Sequence, residues 1–136
     1  MRSAALLALL FALFGSAAHA DCSSLQGRQV ILTSNSYDPD VFVWDTKQRL
    51  IDYSAGNYQM GRQLLPHALL ARAGTRGIVT SCGVNIVHLR TRFAPSDAVS
   101  IKLASGPYRG RYGWVLADDV RSAGGFRFLR PVTKHR

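Results

Sequence analysis

The stretch Arg109-Gly-Arg-Tyr-Gly-Trp-Val115 sets two arginines and two aromatic rings around glycines. In a strand, side chains alternate between faces, so Tyr112 and Trp114 share one side while Gly113 and Val115 share the other. Val115 is then the core candidate, and Trp114 is expected to be half exposed. Upstream, Ser105-Gly106-Pro107 marks a turn, and the strand pattern runs from Tyr108 to Val115. Downstream, Ala117-Asp-Asp-Val120 has the length of one 3₁₀ turn between two strands.

The residues preceding this stretch carry the same signature. Arg76-Gly-Ile-Val-Thr-Ser-Cys82 and Val84-Asn-Ile-Val-His-Leu-Arg90 are β-branched and partly alternating, with Gly83 between them as a bulge or bend. Val99-Ser-Ile-Lys-Leu103 alternates cleanly, which sends Ser100 and Lys102 to the face opposite its apolar residues. Phe126-Arg-Phe-Leu-Arg130 reads as a closing strand, followed by a polar tail over 131–136. Several short strands with glycine-marked turns predict a mainly β fold, a small barrel or sandwich.

Gly110-Arg-Tyr-Gly-Trp-Val115, with Val120 shortly after, resembles the closing part of SH3-like barrels, including the bacterial SH3 domains of exported proteins. The resemblance implies a hairpin turn and strand, one 3₁₀ turn and a last strand, within a barrel placed at 74–130. It does not carry the proline-peptide ligand. Leu116 stands where that groove has a proline, and Asp119 where it has a tyrosine. The chain is similar otherwise to small secreted proteins, a likeness that implies a fold and no activity.

Residues 21–73 have no counterpart in a minimal SH3 barrel and read as a strand and helix elaboration at its N-terminal side. Arg28 to Thr33 predicts a strand, and Ser34 to Asp40 supplies turn formers. Val41-Phe-Val-Trp44 is a second apolar run. Asp45 with Gln48 forms a capping-box pattern that opens a helix through Leu50, Ile51 and Tyr53 to Gly56. Pro66 suits the start of a further short helix or loose turn, which Gly74 would end.

The chain starts with Met1-Arg2, continues through an apolar run to Phe14 and reaches Ala18-His-Ala20, the layout of a secretory signal over 1–20. The apolar run is too short for a spanning helix, which needs ~20 apolar residues. A mature protein starting at Asp21, periplasmic or secreted, is therefore expected. Asp21 immediately before Cys22 argues against lipid attachment. The two cysteines, Cys22 and Cys82, are expected to pair in an oxidising compartment. Closing that loop is worth roughly 4 kcal/mol in the chain-entropy account.

The 17 Lys and Arg outweigh the 8 acidic residues, all of them aspartate, for a formal charge of +9. Arginines predominate, which favours directed contacts to carboxylate or phosphate where they cluster. Outside the cytoplasm the matching partners are cell-wall polymer, other anionic polymers or envelope proteins; nucleic acid is not expected. Tyr108, Arg109, Arg111, Tyr112 and Trp114 form the candidate binding face, the rings to stack and the arginines to pair. The competing reading has Trp114 plugging the barrel end and the arginines merely solvated.

Catalytic groups are sparse. A small basic ribonuclease using His67 and His88 is the leading enzyme alternative, because two histidines can share acid and base roles in phosphodiester cleavage. His135 lies in the polar tail. No Gly-x-Ser-x-Gly elbow, His-x-x-x-His or Cys-x-x-Cys pair or phosphate loop is present, so neither a cofactor nor a metal is expected. Asp38-Pro-Asp40 and Asp118-Asp119 read as turn chemistry. A third alternative, an inhibitor or accessory subunit, would use an apolar patch around Phe126 and Phe128. A non-catalytic binding protein is the reading the sequence favours.

Overall fold

The computed structural model describes residues 21–34, 37–56 and 58–123. Seven antiparallel strands form one curled, barrel-like sheet in the order β3-β2-β6-β5-β4-β1-β7. They are β1 (Gln29–Leu32), β2 (Asp40–Trp44), β3 (Ala68–Arg72), β4 (Arg76–Val87), β5 (Ser96–Leu103), β6 (Tyr112–Leu116) and β7 (Val120–Ser122). Strands from both parts of the chain alternate in this sheet: β1 lies between β4 and β7, and β2 adjoins β6. The signal segment, the Phe126–Arg130 strand with Phe126 and Phe128, and the polar tail with His135 lie outside the described residues.

The alternation of apolar residues builds two cores. Val30, Leu32, Val41, Val43, Val79, Val99, Ile101, Leu103 and Val115 point into the curl and are buried there. On the outer face, Trp44, Leu50, Val87 and Ala98 form a second cluster, beneath a helix α1 (Lys47–Ala55). Thr46, not Asp45, caps α1: its side chain accepts a hydrogen bond from the Arg49 amide at 3.2 Å. Asp45 is drawn instead to the Arg49 guanidinium, 2.7 Å away. The helix ends at Gly56, where φ of +87° selects the left-handed region.

Helix α2 (Tyr58–Leu64) follows, and then Leu65–His67 make one 3₁₀ turn on Pro66. The expectation of a helix or loose turn holds only for that turn; Ala68 to Arg72 is a strand. Pairing with β2, from Trp44 opposite Ala68 to Asp40 opposite Arg72, satisfies its backbone and overrides the helix preference of Ala and Leu. The second difference lies in the opening stretch, where the strand starts at Tyr112 and not at Tyr108. The preceding residues fold into a tight connection in which Gly110 N donates to Leu103 O and Leu103 N to Arg111 O, both at 2.8 Å. The 3₁₀ turn expected before Val120 is present at Ala117–Asp119.

Cys22 and Cys82 form a disulfide with their Cα atoms 5.7 Å apart, tying the N-terminal 3₁₀ turn (Cys22–Leu25) to β4. Asp97 reinforces this end. One carboxylate oxygen accepts from Cys22 N at 2.9 Å and the other from Asn85 N at 2.8 Å, at the residue where β4 turns through a positive φ of 56°. The pairing of β4 with β5 shifts register between Gly83 and Val87, so the irregularity anticipated at Gly83 lies along one continuous strand.

The β2–β3 pair joins the rest of the sheet at β6, where Trp44 stands opposite Trp114. Gly113 permits it: a Cβ there would run into Val43 and sit 2.9 Å from the Trp44 carbonyl oxygen. Val43 is buried in the inner core and the Trp44 carbonyl belongs to the paired backbone of β2, so neither can move aside without shifting the strand. Gly113→Ala is therefore expected to destabilise the protein by about 2 kcal/mol or more through overpacking, read from the urea midpoint of the disulfide-bonded protein.

Candidate binding site

The outer face of β6 carries Tyr112, Trp114 and Leu116. Tyr112 is 59% exposed, and Lys102, its partner across β5 and β6, holds its ammonium 5.7 Å from the ring centroid. Trp114 is half-buried against the outer cluster, with Lys47 at the start of α1 placed 5.7 Å from its ring centroid. Two aromatic surfaces and two ammonium groups thus lie along one strand face. Ser100, opposite Trp114, accepts a hydrogen bond from the Thr80 hydroxyl at 2.8 Å and continues the polar surface.

The other members of the expected face are placed differently. Tyr108 packs against the inner core. Arg109 is exposed and its Nε donates to Ala104 O at 3.0 Å, bracing the connection before β6. Arg111 is exposed where that connection enters the strand. Tyr112 and Trp114 are brought together as alternation requires, while Lys47 and Lys102 supply the nearest charges. Lys102 was legible as outward-facing; its apposition to Tyr112 depends on strand register.

At the opposite end of α1 the same outer face opens into a cavity of about 510 Å³. Its walls are aromatic: Phe42, Trp44 and Tyr53 pack with ring centroids 4.7 to 5.8 Å apart. Leu50, Leu89 and Leu116 complete the apolar lining, and Ser34, Ser54, Asp38, Asp40 and Asp119 add polar groups. Three of the four acids that read as turn chemistry, Asp38, Asp40 and Asp119, therefore line one cavity. Asp38 still performs its turn role, accepting from Asp40 N at 3.0 Å. Asp118 turns away to Arg92, with which it forms an ion pair.

Burial pushes the Asp119 carboxyl up to about 6; the neighbouring Asp118 charge adds to the rise and Arg92 opposes it. At Asp45, burial also raises the carboxyl, but the Arg49 hydrogen bond and the Arg49 and His67 charges together hold it below its usual value. His67 Nδ1 lies 3.4 Å from that carboxylate. His88 is exposed just beyond β4, and neither histidine lines the aromatic cavity. Among the described residues, no three His, Cys, Asp or Glu side chains stand close enough to hold a metal ion.

Comparison with protein-family models, curated proteins and solved structures finds no match for this chain.

The raised Asp119 value has a thermodynamic sign. The folded protein keeps this proton to about pH 6, whereas an unfolded Asp releases it near 3.8, so between those values the folded state binds more protons and stability falls as pH rises. Full burial would make this rise worth ~3 kcal/mol; with solvent screening of a half-buried group, ~1 to 2 kcal/mol remains. Urea titrations of wild type and Asp119→Asn at pH 4 and pH 7 should show the variant gaining that amount relative to wild type at the higher pH.

Proposed function

We propose that this chain is an exported, non-catalytic binding protein of the cell envelope, built on an SH3-like barrel, which contacts an anionic polymer such as peptidoglycan through Tyr112 and Trp114. The observation that carries this reading is the row of Tyr112, Trp114, Lys47 and Lys102 on the outer face, each ring with an ammonium group 5.7 Å from its centroid. Aromatic rings offer flat apolar area for a sugar to stack on. Lysines beside them supply mobile donors for the carboxylates or phosphates of an anionic polymer. Arg109 and Arg111 extend the positive potential along the adjacent connection, and the net charge, +9 for the full sequence and +8 once Arg2 leaves with the signal, favours encounter with such a partner.

The SH3-like reading draws on the curled antiparallel sheet and on the run of β6, one 3₁₀ turn and the short β7. Export draws on the signal-like sequence over 1–20 and on the Cys22–Cys82 disulfide, which suits an oxidising compartment. No helix among the described residues is long and apolar enough to cross a membrane.

Because Trp114 also packs on Trp44 and its neighbours, its removal would disturb the fold. Tyr112 is the cleaner probe. In co-sedimentation with purified peptidoglycan, wild type is expected to pellet and Tyr112→Ala to bind about fivefold more weakly, the equivalent of ~1 kcal/mol. Lys102→Ala should weaken binding in a salt-sensitive way. Loss confined to an Arg109→Ala, Arg111→Ala double variant would assign attraction to diffuse charge and not to this face. Failure of wild type to pellet would overturn the polymer reading.

A further inference from the structure

The aromatic cavity is electrically opposite to the rest of the molecule. The chain carries 17 Lys and Arg, yet among the described residues no Lys, Arg or His lines the cavity. Its charged members are Asp38, Asp40 and Asp119, three carboxylates delivered by the β1–β2 loop, the edge of β2 and the turn before β7. The wall behind them is made by the half-buried rings of Phe42 and Tyr53, which pack on Trp44, itself only 1% exposed. We propose that this cavity binds an organic ammonium ion, an amine with an apolar body seated against Phe42 and Tyr53 and its charge among the carboxylates.

Each part of that assignment has a physical reason. A cavity of about 510 Å³ lies within the range of small-molecule sites, roughly 300–1,000 Å³. A neutral apolar ligand would use the rings but leave three carboxylates with no counter-charge from it. A compact divalent ion would use the carboxylates, but these do not form a grouping close enough to hold a metal. An ammonium ion with an apolar body satisfies both, because aromatic rings attract cations and their apolar area is buried at the same time. The position of Asp119, half-buried and adjoining Asp118, means that a cation would also relieve the repulsion between these two acids.

This site lies at the other end of α1 from Tyr112, so it stands or falls separately from polymer binding. The probe is benzylammonium, with benzyl alcohol as its neutral isostere, titrated into the folded, disulfide-bonded protein at pH 7.5 and followed by NMR. Saturable shifts centred on Phe42, Tyr53 and Leu89 are expected, with benzyl alcohol at least about tenfold weaker. Asp40→Asn and Asp119→Asn, near-isosteric and made separately so that a folding defect in one leaves the other informative, should each weaken benzylammonium about fivefold. Equal binding of the alcohol, unchanged affinity in a folded variant, displacement by millimolar calcium at the same carboxylates, or no saturation at all would each overturn the assignment.

Discussion

The approach of β2 to β6 is the constraint on which the rest of the structure depends. The antiparallel pair of β2 and β3 joins the other strands where Trp44 faces Trp114, and Gly113 has no side chain to keep Val43 and the Trp44 carbonyl away. Had Gly113 carried a methyl group, the inner core would lose the close contact of Val43 with Val115's strand. The outer cluster would also lose its floor, because Trp44 and Trp114 both belong to it. Helix α1 packs on that floor, and the positions of Lys47 and Tyr53 follow from the packing. A single absent side chain thus conditions both cores and both ends of the outer face.

Helix α1 divides that face into regions of opposite character. At its start, Lys47 lies by Trp114, with Lys102 and Tyr112 beyond. Towards its end, Tyr53 and Ser54 meet Phe42 and the carboxylates of Asp40 and Asp119. Charge separation of this kind is compatible with a strongly basic chain because most of the acids sit in loops and turns, where aspartate accepts backbone hydrogen bonds. Asp38 and Asp40 flank Pro39, while Asp118 and Asp119 occupy a 3₁₀ turn. Folding carries these turns to one end of the sheet, and net charge says nothing of such local concentration.

The long strand β4 and its partners hold the opposite side in place. The disulfide ties Cys22 to β4, and the Asp97 carboxylate bonds both Cys22 and Asn85, so one side chain secures two otherwise unpaired backbone donors. Beyond β4, Arg90 donates to Gly56 O at 2.8 Å, joining the end of α1 to the chain segment that contributes Leu89 to the cavity wall. Arg92 holds Asp118 and leaves Asp119 facing the cavity. These contacts fix the chain segments that carry Leu89 and Asp119 to the cavity.

Local pattern determined a good deal by itself. Alternation identified β5, the outward Lys102, the buried Val115 and the pairing of faces in Tyr112 and Trp114, because period-two burial depends only on backbone geometry. Turn chemistry located the 3₁₀ segment before Val120, and two cysteines sufficed to expect the disulfide. Tertiary structure decided what depends on neighbours distant in sequence. Ala68 to Arg72 became a strand because β2 offered hydrogen bonds and an apolar face, which outweigh a helix preference of a few tenths of a kcal/mol per residue. Tyr108 went inward because its connection folds back on Leu103, and Lys102 met Tyr112 only through the register of β5 on β6. The cavity was invisible for the same reason. Asp38, Asp40, Phe42, Tyr53 and Asp119 are scattered over the chain, and only the curl of the sheet beneath α1 places their side chains around one space.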